Sequence, residues 1–356
     1  MNSRITTVIP TYKRPALLLR AVRSALGQGS AEIRVHVLDN ASGDLTGPLI
    51  QRLAENDPRV VYRCHATNIG GIANFEAGLN TVDTEFFSIL SDDDYLLPGF
   101  YAKAIAALDA HPEAAFWAGT TLNVDENGVV FDARVAKWSR HGYFRAGETM
   151  LAMTGGMAPL WTGIVFRRTV LESIGLPDRE ALGPADLDFI LRVAARSPFI
   201  VEAQAVAVFT LSVSSFGATQ PLSSFWPGWL HVIAKARCNE DLPEGSRKAL
   251  ARALEADARK MLYRRGINAM VNGRHDFATE ASSLLRAQPD GRSRGWMLFV
   301  AEWLAHHVPI IRRVMDHTYR FLERRLLASR KELQRRYGPQ LIGVEDLPND
   351  ALARDP

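Results

Sequence analysis

The spacing of apolar positions changes repeatedly over the first 210 residues of this chain. Residues 5–10 form a short apolar run broken by Pro10, which predicts a strand. Thr11, Tyr12, Lys13, Arg14 and Pro15 follow as a loop, with Pro15 suited to the first turn of a helix. Leu18, Leu19, Val22, Ala25 and Leu26 then recur at helical spacing, and Gly27 and Gly29 end that helix. At 33–39, Ile33, Val35 and Val37 alternate with Arg34 and His36, the period of a strand, and Asp39 to Gly43 make a polar exit. A third strand is predicted at 60–62, and Asn68, Ile69, Gly70 and Gly71 turn into a helix reaching Asn80. Residues 86–90 read as a buried strand ending in three consecutive acids, Asp92, Asp93 and Asp94.

Beyond that point a helix runs from Pro98 to about 109, and strands are expected at 114–119, 161–167 and 199–209. A short helix closes near Gly175, and Gly183, Pro184, Ala185 and Asp186 open another, with Leu187, Ile190, Leu191 and Val193 apolar. Alternating strands and helices predict an α/β fold whose sheet is mainly parallel and flanked by helices. From about 225 the pattern is helical, at 225–237, 244–264, 276–287 and 295–337. The chain therefore divides into an α/β unit at 1–222, with halves at about 1–97 and 98–222, a helical extension at 223–340, and a flexible tail at 341–356. Trp138, His141, Tyr143 and Phe144 suit either a sugar platform or the core, and aromatics more often pack in the core. Ser212 to Ser224 reads as a mobile loop.

Composition adds boundaries. The 356 residues carry a net charge of +3, too small to argue for a nucleic-acid partner. Cys64 and Cys238 are too few for a disulfide scaffold and fit a reducing compartment. A strand beginning by Ile5 leaves no room for a signal peptide, and no apolar run reaches the roughly 18–20 residues that span a bilayer. A cytoplasmic protein is expected. Trp296, Met297, Phe299, Val300 and Trp303, followed by Arg312, Arg313, Arg320, Arg324, Arg325, Arg330, Arg335 and Arg336, fit two arrangements. One is a helix lying on the inner, anionic face of the membrane through 296–337. The other is a basic face packed on the α/β unit or on a second copy of the chain. His306 and His307 lack a partner at metal-binding spacing and read as surface or interfacial residues.

The candidate chemistry lies at the strand ends. Three adjacent carboxylates repel one another and need a counter-charge, which a divalent cation can supply. The alternative is an acidic turn capping the helix after Pro98. Ligands of parallel sheets bind outside the carboxyl ends of the strands. Pro10–Tyr12, Asp39–Asn40, Asn68–Gly70 and Asp92–Asp94 all fall there. Asp186 is either a helix-start carboxylate favoured by the dipole or a general base entering a cleft.

In this order, Ile9 to Pro15, Val37 to Ser42, Asn68 to Gly71 and Leu90 to Asp94 resemble the successive motifs of family 2 glycosyltransferases with the GT-A fold. The resemblance covers about residues 4–215. It implies transfer of a sugar from a nucleotide-sugar, with a uridine lean, to a saccharide or lipid-linked acceptor, with inversion and with Mg²⁺ or Mn²⁺. Pro10, Thr11, Tyr12 and Arg14 would line the nucleotide pocket, Asp39 would accept from the base, and Asn68 and Gly70 would lie beside nucleotide or ribose. The acids match the DXD motif with Ser91 in place of its first aspartate. Asp93 would be the main metal ligand, Asp92 would contact ribose or metal, and Asp94 would support them. Asp186 falls on the aspartate of the family's Glu-Asp motif and would be the base, with Asp188 second; the motif's glutamate is Ala185. A basic or histidine ligand expected after strand 199–209 is not evident, Leu211 and Ser212 standing there. Ser91 and Ala185 keep a second class open, a catalytically silent sugar- or nucleotide-binding subunit. A nucleotidyltransferase lacks its glycine-rich phosphate loop here, and a nicotinamide enzyme lacks G-x-G-x-x-G.

Overall fold

The structure, a computed structural model, describes residues 3–29, 33–211, 221–308 and 330–341. Strand β1 (Ile5–Thr11) is buried along its whole length, because parallel neighbours and helices cover both of its faces. It pairs in parallel with β2 (Ile33–Asp39), in a register that sets Ile5 beside Ile33 and Thr11 beside Asp39. On its other side β4 (Phe86–Ile89) is also parallel, with Val8 beside Ile89. Strand β3 (Val60–Cys64) extends the sheet beyond β2. These registers bring the exits of four strands to one edge, and there the polar loops meet.

Helix α1 (Pro15–Leu26) starts with Pro15 in its first turn and buries Leu18, Ala21, Val22 and Ala25. Helix α2 (Thr46–Asn56) crosses from β2 to β3 and was not marked by the hydrophobic pattern. Helix α3 (Gly71–Leu79) lies flush on the sheet. A Cβ on Gly78 would stand 2.3 Å from Val8 Cγ1 and 3.2 Å from Leu38 Cδ2, so only glycine permits this approach. Helix α4 (Phe100–Ala110) begins two residues after Pro98, behind Gly99 in the left-handed conformation (φ 81°). The acids 92–94 therefore cap no helix, since the two-residue strand β5 (Tyr95–Leu96) follows them instead.

The second half makes the sheet mixed. Strand β9 (Ile164–Arg167) runs antiparallel between β4 and β6 (Phe116–Val124), and β10 (Phe199–Thr210) returns parallel to β6. Strands β7 (Val130–Ala133) and β8 (Gly142–Phe144) pair at the side with β6 and β10, and β5 pairs antiparallel with β10. The strand expected at 161–167 opens as a 3-10 turn, Trp161–Gly163, and the one expected at 114–119 extends to Val124. Helices α5 (Thr169–Ser173) and α6 (Ala185–Arg196) follow β9. Trp138 and Phe144 belong to the core, where the Phe144 and Phe116 rings stack on Phe199 at 5.2 and 5.0 Å. The Trp138 indole N–H is satisfied by the Met157 carbonyl at 2.9 Å.

Helices α7 (Leu222–Arg237), α8 (Glu244–Val271), α9 (His275–Arg286) and α10 (Arg292–His307) bury Trp226, Leu254, Leu262, Leu285 and Leu298 in the same hydrophobic cluster as Phe166 and Phe189. The extension thus shares a core with one face of the sheet. Within the helical stretch expected over 295–337, α10 ends at His307, and Val308 is extended (φ −123°, ψ 94°), as suits a residue before proline. Arg312, Arg313, Arg320, Arg324 and Arg325 lie outside the described residues, as do Ser212 and most of the loop expected there. Residues 330–337 are helical and dock on the sheet: Tyr337 is buried beside Tyr95, Leu97 and Leu122, and Val130 N–H donates to Gln334 Oε1 at 2.8 Å. This segment packs on the α/β unit. No helix among the described residues is long and apolar enough to cross a bilayer.

Candidate active site

At the exit of β4 the three acids have three different environments. Asp92 is buried; Thr11 Oγ1 donates to its Oδ2 at 2.8 Å, and Arg14 Nη1 lies 3.3 Å from its Oδ1. Burial raises its pKa, opposed by Thr11 and by the Arg14 charge. Asp93 is half-buried, and its Oδ2 accepts from the same Arg14 Nη1 at 2.9 Å. Its Oδ1 has no protein donor among the described residues. Arg14 thus bridges both carboxylates. Arg20 donates to the Asp93 carbonyl and, at 3.2 Å, to Thr210 Oγ1, fixing the loop backbone.

Asp94 points the other way, into the sheet. It is fully buried, accepting from Thr162 Oγ1 at 2.5 Å and from Thr210 N–H at 2.9 Å. Burial, then the neighbouring Asp93 charge, pushes its pKa well up. It joins the acid loop to the turn before β9 and to the end of β10.

The other loops close around these acids. Asp39 is buried and holds two donors, Ser42 N–H at 2.9 Å and the Tyr62 hydroxyl at 2.6 Å. Asn40, its neighbour, donates to Asn68 Oδ1 at 3.0 Å and accepts from Ile69 N–H at 2.8 Å, while Gly70 N–H donates to the same Asn68 oxygen at 2.9 Å. A cavity of about 730 Å³ lies over this edge, lined by Pro10, Thr11, Tyr12, Arg14, Asn40, Ser91, Asp92 and Asp93. Asp39, Asn68 and Gly70 are not among the residues lining it.

The far wall comes from residues that strand-end reasoning missed. Arg265 and Asn268 of α8, Arg274 after it and Phe277 of α9 line the same cavity, with Arg134 from the loop after β7. Arg265 packs its guanidinium 5.2 Å from the Phe225 ring centre and has no acid partner among the described residues; burial and Arg274 lower its pKa. A second cavity of about 610 Å³ shares Arg134, Leu211 and Arg265 with the first. It is lined by Asp186 and Asp257, by Lys260 and Arg264, and by apolar Met153, Leu160, Phe225 and Trp229. Asp186 sits in the first turn of α6, where Leu187 N–H donates to its Oδ1 at 2.7 Å. Burial raises its pKa, against that hydrogen bond and the Arg134 charge. Asp188, by contrast, is buried and paired with Arg192 and Lys235, both at 2.8 Å, and lines neither of these two cavities.

An α/β sheet whose strand-end loops surround paired carboxylates, with a second cavity beside them, has the architecture of the GT-A fold. Residues 6–175, a little under half of the chain, match the family model described as Glycosyl transferase family 2. It is 32% identical over 97 residues to a Campylobacter jejuni protein named GalNAc(5)-diNAcBac-PP-undecaprenol beta-1,3-glucosyltransferase, a match covering 27% of this chain and 31% of the relative. The matched stretch thus spans about a third of that relative's length. Among solved structures, S. aureus TarS 1–349 in complex with UDP-GlcNAc shares the fold with a TM-score of 0.60 at 15% identity, over 90% of this chain and 92% of that one. The mannosyltransferase PcManGT from Pyrobaculum calidifontis, in complex with GDP-Man and Mn²⁺, gives 0.51 at 18% identity, over 92% and 86%.

Proposed function

We propose that this chain transfers a sugar, with inversion, from a uridine-type nucleotide-sugar in the Asp92–Asp93 cavity to an acceptor hydroxyl in the Asp186 cavity. The observation that carries the reading is the pair of adjoining cavities, one lined by the strand-end carboxylates Asp92 and Asp93 and the other by the half-buried helix-start carboxylate Asp186. Asp92 and Asp93 offer hard oxygen donors suited to Mg²⁺ or Mn²⁺, and Thr11 and Arg14 already fix their orientation. When bound there, such a metal would neutralise charge on the departing diphosphate. Arg265 and Arg274 face the same space and would hold the diphosphate from the opposite wall, supplying the basic contact that Leu211 does not. Asp186 would take the acceptor proton. Support for a sugar donor comes from the fold shared with a UDP-GlcNAc complex, and for a metal from the Mn²⁺ complex of the mannosyltransferase.

The acceptor would carry phosphate or a lipid diphosphate. Arg134, Lys260, Arg264 and Arg265 outnumber Asp186 and Asp257 around its cavity, and Leu160, Phe225 and Trp229 give it an apolar side. The C. jejuni relative is named for a lipid-linked acceptor. A panel of nucleotide-sugars should show diphosphate release for at least one uridine-linked donor, suppressed by chelation and restored by Mn²⁺. A polyprenyl-diphosphate saccharide should raise the rate above hydrolysis. If no donor turns over with any divalent metal, the chain is instead the silent binding subunit.

Such acceptors lie at the cytoplasmic membrane face. Trp296, Met297, Val300 and Trp303 of α10 are exposed, at 54, 61, 48 and 48%, and would rest on anionic lipid there. Cosedimentation with phosphatidylglycerol vesicles should fall several-fold in a Trp296→Ser, Trp303→Ser double variant. Equal binding by the native chain and the variant would reject membrane contact and leave this face to a second copy or another protein.

A further inference from the structure

We infer that His275, Glu302 and His306 form a binding site for a borderline divalent metal, best matched by zinc, where the start of α9 meets the end of α10. One ligand atom from each of the three lies within 4.8 Å of the others. His275 Nδ1 stands 3.0 Å from Glu302 Oε1, and the His275 and His306 rings meet edge to face with centres 4.8 Å apart. Glu302 and His306 are four residues apart on one helix and so project from the same face. The sequence pattern had paired His306 with nothing, because its partner is 31 residues away on another helix.

Two imidazoles and a carboxylate are the donor set of open zinc sites, with a fourth position left to water. Zinc–nitrogen and zinc–oxygen bonds of about 2.0–2.2 Å place tetrahedral ligands a little over 3 Å apart, so side-chain rotation alone closes this set. One helix end assists. His306 lies in the last turn of α10, where the carbonyl end favours a cation. His275 is the first residue of α9. Arg274 beside it opposes a cation, and the Glu302 charge offsets that.

The ligands are also held at fixed spacing. A Cβ on Gly295 would lie 2.8 Å from Arg286 N and 3.0 Å from Ser282 O, so α9 and α10 touch backbone to backbone, and Ser282 Oγ donates to the Gly295 carbonyl at 3.0 Å. A metal here would clasp the open end of that hairpin. Arg274 and Phe277, on either side of His275, line the Asp92–Asp93 cavity, so the clasp would steady its far wall. The inference stands whether or not the chain transfers sugar.

The test is titration of the chelator-stripped full chain with Zn²⁺ in excess Mg²⁺, followed by calorimetry and thermal unfolding, and with Co²⁺ followed by visible absorption. One equivalent of Zn²⁺ should bind and raise the midpoint by several degrees, unchanged in Asp93→Ala, which removes the competing carboxylate. His306→Ala and His275→Asn should each weaken binding by about 10-fold or more. Co²⁺ should give the intense visible bands of a tetrahedral site in the native chain. No stoichiometric Zn²⁺ binding, or equal binding by folded variants, would show that His275 and Glu302 share a hydrogen bond only. Octahedral Co²⁺ bands in the native chain would overturn the site even if a variant failed to fold.

Discussion

Asp93→Ala should lower turnover by about 10²–10³-fold or more, the scale seen when a preorganised charge partner of a transition state is removed. The same change should leave the fold intact. Asp93 touches only Arg14 through its side chain, and ion pairs of that partly exposed kind contribute about 0–1 kcal/mol. It also adds repulsion, since its charge helps to raise both Asp92 and Asp94. Asp94→Ala should show the opposite pattern. Two donors, the buried Thr162 Oγ1 and the half-buried Thr210 N–H, would lose their acceptor, at about 1–3 kcal/mol for a fully buried unsatisfied group. Metal-dependent turnover and the urea midpoint, measured on both variants, separate the roles. A fully active Asp93→Ala would sink the metal–diphosphate assignment. An Asp94→Ala chain as stable as the native one would show that its buried bonds do not matter.

That contrast also marks where the sequence was legible. The alternation of Ile33, Val35 and Val37 located β2, and Pro15 located the start of α1, because each signal is local. The four polar loops were visible for the same reason: in a parallel sheet every strand exit faces one edge. The three acids are chemically identical in the sequence and diverge only because β5 turns back to pair with β10, which pulls Asp94 into the sheet. Helix α2 escaped notice because Gly47 and Pro48 obscure its first turn and few of its residues, such as Ile50 and Leu53, are buried. The insertion of β9 against the strand direction leaves no mark in local periodicity. Arg134, Arg265 and Arg274 were missed because tertiary packing carries them to acids more than 40 residues away, and nothing in a helical run containing both Arg264 and Arg265 says that Arg265 is the one to reach the cavity over Asp92 and Asp93.

Asp186→Asn should reduce turnover by about 10²–10⁴-fold, the range of general acid–base contributions, with donor binding unchanged because the donor cavity does not include it. Its environment adds two pH signatures. Burial raises the carboxyl pKa, so the acid limb of kcat/KM should lie above the ordinary aspartate range of about 4. The stability effect has the reverse sign from that of a salt-bridged acid. A folded-state pKa above the unfolded one means the folded chain binds the proton more tightly. Stability therefore falls as pH rises from the unfolded value through the raised folded value, and the whole penalty of desolvating the anion is present above it. Asparagine carries no such charge. The variant should be at least as stable as the native chain at pH 7, with the difference shrinking towards pH 3, where both side chains are neutral. Urea midpoints across that range, set beside pH–rate profiles, test both signatures at once. Native-like turnover in Asp186→Asn would remove the base from this helix, whereas loss of activity with a gain in stability is what a charge held in place for catalysis requires.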